Sequence, residues 1–174
     1  MEFAKDFFNN PDLSSTKCHY LTENHEQSLE WEKGSVSPYS YSTVKDDEIL
    51  ARNIYSPHDY DKATGKLNSL AFDNILNRGL SVLRFDDTGH DEVVNIGQGK
   101  KKATHEYYGY VTVQTKCIRE CLIDTKRAMA VYDTALANLL IHADICSISV
   151  TTKGNKNLLR LFLRETFSEL IAGS

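Results

Sequence analysis

The chain lacks the long apolar segments and the leader features that would place it in or across a membrane. No run approaches the roughly 18 apolar residues that a membrane helix needs. The first six residues, MEFAKD, have neither the basic start nor the apolar core of a secretory signal. We therefore predict a cytoplasmic protein without membrane contact, and a length of 174 residues favours one domain.

Standard catalytic and phosphate-binding signatures are also missing. Residues 97–100 (GQGK) have the wrong spacing for a phosphate-binding loop, and Lys101 follows where that loop needs serine or threonine. Residues 59–65 depart from a calcium loop, because the glycine comes one place late and no glutamate follows at the twelfth position. Neither G-x-S-x-G nor H-E-x-x-H occurs. No motif therefore fixes a reaction.

Positive charge is scarce, since 24 acidic side chains outnumber 20 basic ones and the formal net charge is −4. This balance disfavours a general nucleic-acid coat, which would be basic. Most of the deficit lies in residues 1–45, so a local phosphate-binding patch elsewhere stays open. The basic run at 100–102 (KKK), with His105 nearby, is either a solvated loop or a phosphate contact. A phosphate contact needs a further basic group, for which Arg78 and Arg84 are the candidates.

Four cysteines are too few to staple a chain of this length and cytosolic character, so reduced thiols are expected. Cys117 and Cys121, with the Cys18–His19 pair, could in principle bind zinc. Their spacing matches no standard zinc motif. We predict neither a metal nor another cofactor.

Hydrophobic patterning predicts an α+β fold with one mostly antiparallel sheet of about four strands. The expected strands are 79–85, 107–115, 127–132 and 141–150. Helices are expected at 1–9, at 48–53 and at 157–171, the last packed on the sheet. Residues 10–45 show no clear period, and one turn of helix near Glu26–Glu32 is the regular structure that they could hold. We therefore interpret 1–45 as an acidic, aromatic-containing, irregular extension and 46–174 as the compact domain. Its aromatic residues indicate that the extension packs on the body or on a partner protein.

Three segments place polar groups in an otherwise apolar frame, where burial without a partner is costly. They are 54–58 (IYSPH), 78–84 (RGLSVLR) and 140–145 (LIHADI). Each polar group belongs either to a satisfied internal network or to a functional site, and the sequence leaves both interpretations open.

His58, His142 and Asp144 are the predicted catalytic residues. His58 follows a proline that restricts the preceding Ser56, and a histidine so placed can act as acid, base or phosphate ligand. His142 and Asp144 are two residues apart and share a strand face, as the orientation of an imidazole by a carboxylate requires.

Arg52, Arg84 and Ser81 are the predicted substrate-binding residues. Strand alternation places Ser81 and Arg84 on opposite faces unless a bulge at Gly79 intervenes. Arg84 is therefore the favoured charge partner of the histidines, and Ser81 is expected to pack.

The three segments, in this order, resemble an uncharacterised family of small bacterial proteins. That family carries an arginine-rich helix ending near a Pro-His-like element, a G-L-S-V-x-R strand and a C-terminal Asn-Pro-Ala-His-Ala-like element. The matching stretch here is 49–148, with the strand at 80–84 (LSVLR). The last element departs from the pattern, because Asn138 and the His142-Ala143 pair replace the compact motif. The resemblance implies a bacterial source and candidate residues, and it brings no activity.

Two functional hypotheses follow. The first is a toxin-like or defence-associated enzyme that acts on a phosphate-containing substrate, a nucleotide or RNA, by histidine acid–base chemistry. Arginine would stabilise the phosphate charge. The second is a non-catalytic interaction module of a bacterial defence or toxin–immunity system, in which residues 1–45 bind a partner protein. Buried polar networks also occur without catalysis, so the sequence leaves open whether the protein is an enzyme.

Overall fold

The computed structural model describes residues 2–150 and 152–173. The α-helices are α1 (Glu2–Asn9), α2 (Lys17–Glu23), α3 (His25–Glu32), α4 (Gly89–Gly99), α5 (Thr115–Arg119) and α6 (Lys153–Thr166). The strands are β1 (Ile49–Ser56), β2 (Tyr60–Asp61), β3 (Lys66–Leu67), β4 (Leu80–Arg84), β5 (Glu106–Gln114), β6 (Leu122–Ile123), β7 (Lys126–Arg127), β8 (Met129–Asp133), β9 (His142–Ser147) and β10 (Ile171–Ala172). Short 3-10 helices span Pro11–Leu13, Ser69–Leu76 and Phe85–Asp87.

An antiparallel sheet of six strands, in the order β10-β5-β1-β4-β9-β8, forms the centre of the molecule. The hairpins β2–β3 and β6–β7 lie outside it. The predicted α+β class, with a C-terminal helix against an antiparallel sheet, is confirmed. The sheet has six strands where about four were predicted, because β1 and β10 were not recognised as strands.

Strand β1 occupies residues that were predicted to form a helix at 48–53, and that prediction is wrong. Leu50, Ala51 and Ile54 are all fully buried, because β1 is an inner strand with helices on both faces of the sheet. Such a strand loses the alternation of apolar and polar residues that marks a half-exposed strand. The acidic residues at 46–48 do not start a helix, and Glu48 pairs with Arg84 instead.

The two faces of the sheet are covered differently. One face packs against α6 and the 3-10 helix at Ser69–Leu76 in a continuous core. The opposite face carries two separate layers, with α1–α3 on β8 and β9 and α4 on β1 and β5. Strand β4 lies between these layers, and its Ser81 is exposed there. Each fully buried aliphatic side chain of these cores stabilises the fold by about 1.5–3 kcal/mol.

Helices α2 and α3 lie in the segment that was predicted to be irregular apart from a turn of helix near Glu26–Glu32, and they pack on the sheet. Phe7 and Trp31 are buried in a cluster that includes Tyr132 of β8. Glu32 accepts a hydrogen bond from the Val131 backbone N–H at 2.7 Å, on the open edge of β8. A capped edge group is no longer free to pair with another chain. Phe7 and Trp31 of this acidic segment therefore contact the body of the molecule.

Within residues 2–150 and 152–173, no helix is both long enough and apolar enough to cross a bilayer.

Candidate functional site

Two histidines meet at one end of the β1–β5 ladder. The ladder reaches the pair Ser56 and Glu106. The chain then continues from the end of β1 into a turn that holds His58, while His105 immediately precedes β5. Because the two strands are antiparallel, the end of one lies beside the start of the other. The ring centroids of His58 and His105 are 6.4 Å apart.

The loop between α4 and β5 carries lysine side chains to the same place. The backbone N–H of His105 donates to the carbonyl of Lys102 at 3.0 Å, so these residues close one turn. Lys100 directly follows the last residue of α4. The resulting concavity, of about 340 Å³, is called here the His58 cleft. It is lined by Tyr55, His58, Asp59, Lys100, Lys102 and His105.

Gly97 anchors the end of α4 that positions these lysines. Its carbonyl accepts a hydrogen bond from the Tyr55 hydroxyl at 3.1 Å. A Cβ added at Gly97 would lie 2.2 Å from the Tyr107 ring, so a larger residue would force the helix or the ring to move. Gly97, the first residue of the GQGK segment that partly matches a phosphate-binding loop, therefore allows close packing between α4 and β5.

His58 is oriented by the neighbouring carboxylate. Its Nδ1 lies 2.7 Å from Oδ1 of Asp59, and Oδ2 of Asp59 accepts the Tyr55 backbone N–H at 3.0 Å. Asp59 is 6% exposed, whereas the His58 side chain is 51% exposed. A carboxylate can only accept, so Nδ1 of His58 donates and Nε2 of the neutral ring is left without a proton. Such a ring can take a proton from a bound molecule.

The charges lining the His58 cleft favour an anion. Lys100 and Lys102 are exposed cations, and one acidic residue, Asp59, stands among the six lining residues. That carboxylate is already used by His58 and by a backbone N–H. Lysine ammonium groups bind phosphate oxygens by charge and hydrogen bonding.

The other predicted histidine, His142, lies in a buried polar network. Its Nδ1 contacts the Thr134 hydroxyl at 2.9 Å and the Thr134 carbonyl at 3.1 Å. Its Nε2 is 3.9 Å from Oδ1 of Asp144, which is beyond hydrogen-bonding distance. Asp144 accepts instead from the Ser81 hydroxyl at 3.3 Å and from the Lys17 ammonium at 3.3 Å. We call these five residues the His142 network.

The lysine, not the imidazole, is the close partner of the carboxylate in this network. Lys17 and Asp144 are 9% and 6% exposed. Burial is the largest influence on the pKa of Lys17 and lowers it, but interactions with Asp144, Cys146 and Cys18 together outweigh burial, so the pKa is raised. The predicted shared face of His142 and Asp144 is present, while their direct contact is not.

Arg84 is a buried structural cation. Its Nε and Nη2 donate to the Glu48 carboxylate at 2.7 and 2.8 Å, and Nη1 donates to the Ser42 carbonyl at 3.0 Å. The Tyr41 ring lies 4.5 Å from the guanidinium carbon. With a residue exposure of 2%, this guanidinium is enclosed by its partners.

Arg52 lies where β4 separates from β1. Its Nε and Nη2 donate to the Ala71 carbonyl at 3.1 and 2.6 Å, and Nη1 donates to the Ser81 carbonyl at 3.1 Å. Burial lowers the pKa of Arg52, and the carboxylates of Asp59 and Asp144 oppose that shift. The side chain therefore lies within electrostatic reach of both the cleft and the network, while its donors are held by backbone carbonyls.

The predicted site residues thus divide among separate places. His58 lines the His58 cleft, and none of the other five predicted residues does. Catalytic roles for His142 and Asp144, and substrate binding by Arg52, Arg84 and Ser81, stay predictions from the sequence.

Two residues of the cleft were not selected from the sequence. Asp59 follows His58 directly, and its adjacency was a usable signal. His105 was noted beside the basic run, but its approach to His58 depends on the pairing of β1 with β5. The side chains that converge with the lysines of residues 100–102 are therefore His58 and His105, and not Arg78 or Arg84 as expected.

Metal ligands are not gathered at either centre. In residues 2–150 and 152–173, no group of three or more His, Cys, Asp or Glu side chains is arranged to hold an ion. Cys18 and Cys146 are buried in the α1–α3 layer, and Cys121 lies in the main core. Burial raises the pKa of the Cys121 thiol to about 11.

Comparison of the chain with protein-family models, with curated proteins and with solved structures found no match. The site is therefore defined by its geometry: an oriented imidazole, a second imidazole and two lysines around one open cleft. This arrangement is typical of an acid–base site for an anionic ligand.

Proposed function

We propose that the protein is an enzyme that transforms a phosphate-containing substrate, a nucleotide or RNA, in the His58 cleft. The observation that carries the proposal is the convergence of His58, His105 and two lysines at one end of the β1–β5 ladder. Phosphate chemistry needs charge stabilisation and proton transfer, and these residue types supply both.

In this proposal His58 is the general base. Its Nδ1 is held by Asp59, which keeps Nε2 available for a proton. His105, across the cleft, is the general acid in its protonated form. Its Nδ1 lies 2.8 Å from the Thr104 hydroxyl, a contact that fixes the ring orientation. The proposal moves the acid–base pair from His58 and His142 to His58 and His105.

The phosphate oxygens are assigned to Lys100 and Lys102. Both side chains line the cleft, whereas Lys101 between them does not. This contrast offers a matched pair of variants within three residues of sequence. Charge removal at Lys102 should weaken substrate binding, and the same change at Lys101 should not.

The alternative proposal, a protein-interaction module that works through residues 1–45, has less support. Phe7 and Trp31 of that segment are 4% and 6% exposed and pack on the sheet. Glu32 of the same segment is committed to Arg119 and to the edge of β8. These three side chains are thereby used within the chain. A toxin-like or defence-associated setting stays a prediction from the sequence.

The test is turnover of three probes: p-nitrophenyl phosphate, ATP and a short single-stranded RNA. We expect turnover of at least one probe, reduced about 10²- to 10⁴-fold in His58→Ala and in His105→Ala, as loss of a general acid or base implies. Melting temperatures should stay close to the wild-type value, because His58 is half exposed.

His19→Ala is the matched control, since His19 is 73% exposed and lies on α2. Equal turnover by wild type and both cleft variants, on every probe, would contradict the proposal. If His142→Ala loses activity while His58→Ala keeps it, the active site lies at the His142 network and not in the His58 cleft.

A further inference from the structure

We infer that the substrate is a single-stranded RNA phosphodiester, cleaved by attack of its own 2′-hydroxyl. This inference rests on the proposed function and names the nucleophile that the His58 cleft would use. It follows from the state of the protein groups that line the cleft and from the shape of the surface around it.

The lining side chains offer no free oxygen nucleophile. The Tyr55 hydroxyl donates to the Gly97 carbonyl, and burial raises the pKa of this phenol, so it stays protonated. Both carboxylate oxygens of Asp59 are engaged. The remaining lining residues are lysines and histidines. The attacking oxygen therefore belongs to the substrate or to water.

The openness of the site favours an oxygen that the substrate itself carries. The His58 side chain is 51% exposed, so the cleft does not enclose a bound water and hold it in place. A 2′-hydroxyl is already positioned beside the phosphorus atom by the ribose, and an intramolecular nucleophile gains strongly from that placement. Proton transfer is then the main task left to the protein.

The proposed step balances with these groups alone. Nε2 of His58 takes the proton of the 2′-hydroxyl as the O2′–P bond forms. The P–O5′ bond breaks, and the imidazolium of His105 gives its proton to O5′. The products are one strand ending in a 2′,3′-cyclic phosphate and one beginning with a 5′-hydroxyl. Lys100 and Lys102 stabilise the negative charge that builds on the phosphate oxygens.

A diester needs room on both sides of the phosphorus atom, and the surface provides it. His58 and Asp59 line the cleft, while the two preceding residues, Ser56 and Pro57, line a second concavity of about 520 Å³. Lys62, which is paired with Glu106, and Asp61 also line this second concavity. A nucleotide on each side of the scissile bond can thus lie against the protein.

The test compares three labelled strands of one mixed sequence: RNA, DNA, and DNA with a single ribonucleotide. We expect cleavage of the RNA, cleavage of the chimera only on the 3′ side of its ribonucleotide, and a rate on DNA lower by at least about 10³-fold. Mass spectrometry should find 2′,3′-cyclic phosphate ends. His58→Ala, purified in parallel, should lose this cleavage and His19→Ala should keep it.

The outcomes separate this inference from the proposed function. Cleavage of DNA at a rate similar to RNA, or ends without a cyclic phosphate, would overturn the 2′-hydroxyl attack. A phosphorylated His58 trapped during turnover would overturn it as well. Turnover of p-nitrophenyl phosphate or ATP that depends on His58, with RNA left intact, overturns the inference while the proposed function stands. No turnover that depends on His58 on any substrate overturns both.

Discussion

The His58 cleft and the His142 network each hold a histidine and an aspartate from an otherwise apolar stretch of sequence. They differ in solvent exposure and in how their charges are paired. His58 is half exposed, is oriented by one buried carboxylate and stands beside cations whose charge faces solvent. His142 is 8% exposed, and its neighbour Asp144 is neutralised by a buried lysine. The first centre has proton-transfer capacity that the protein does not use internally. The second has its main charges paired within the chain.

The difference teaches how to separate a site from a network. A polar group in an apolar frame must find partners, and in the His142 network the partners belong to the protein. Both rings are held at one nitrogen, but the His58 side chain is 51% exposed while His142 is buried. Loss of a residue from the cleft should therefore affect chemistry, and loss from the network should affect stability.

The largest expected effect is that of Asp59→Asn on turnover. The amide can keep its oxygen toward the Tyr55 N–H, and its NH₂ then faces Nδ1 of His58, so the proton moves to Nε2. We expect kcat to fall roughly 10²- to 10⁴-fold with a smaller change in KM, as for other histidines held in the wrong tautomer. Asp12→Asn is the control, because Asp12 is exposed and lines neither the His58 cleft nor the second concavity. An unchanged kcat would remove the orienting role of Asp59.

Lys17→Ala tests the His142 network, for which we expect a loss of stability without a loss of activity. The change leaves the Asp144 carboxylate buried without its cation, which typically costs about 3–5 kcal/mol of unfolding free energy. The folded fraction should keep wild-type activity. Denaturant titration measures the loss, and Lys33→Ala, at an exposed pair with Glu30, should change it by less than about 0.5 kcal/mol. A stable but inactive Lys17→Ala would place the network in the site.

Asp133, beside the network on β8, predicts a pH dependence of stability. Burial raises the pKa of this carboxyl from 3.8 to about 6, and its Oδ2 has no hydrogen-bond partner. The folded state thus holds the proton more tightly than the unfolded state. Stability should fall as pH rises from about 4 to about 6, by up to about 3 kcal/mol from this group.

Asp133→Asn removes that titration, so it should gain stability relative to wild type over the same pH interval. Denaturant titrations at pH 4, 5, 6 and 7 follow the difference between the two proteins. A difference that is constant across the series would show that Asp133 ionises in the folded protein as easily as in the unfolded chain.

The smallest expected effect belongs to Gly97→Ala, which disturbs the support of the cleft. The new methyl group would meet the Tyr107 ring, and overpacking of this kind costs about 1–3 kcal/mol. The displaced end of α4 carries Lys100 and Lys102, so KM should rise as well. Gly99→Ala is the matched control, because nothing lies within 4 Å of its added Cβ. Equal stability and equal KM of the two variants would show that the cleft does not depend on the packing of α4.

Strands β4, β5, β8 and β9 and helix α6 lie at residues close to the expected ones. The β-branched, aromatic and apolar residues of these strands, and the helical period of α6, are strong local signals. Local pattern fails for β1, where acidic residues at 46–48 ahead of Ile49 and Leu50 favoured a helix, and for α2. The turn of helix expected near Glu26–Glu32 lies within α3. Helix α3 is weakly amphipathic, and its position is set by the burial of Trp31 and Glu32 against β8.

The candidate site was predictable in part. The apolar frame and the preceding proline selected His58, and the basic run near His105 was visible. What joined them is the register of β1 against β5, a long-range pairing that local pattern does not carry. The same limit hid the partner of Asp144, since Lys17 lies 127 residues away in the chain.

The most direct test of the central claim is a histidine-detected NMR titration with inorganic phosphate. The six imidazoles are assigned from single His→Ala variants, and their ¹H–¹⁵N long-range correlations are followed as phosphate is added. We predict that the resonances of His58 and His105 shift together with one dissociation constant, while those of His142 stay in place. A shift of His142 with His58 and His105 unmoved would contradict the assignment of chemistry to the His58 cleft.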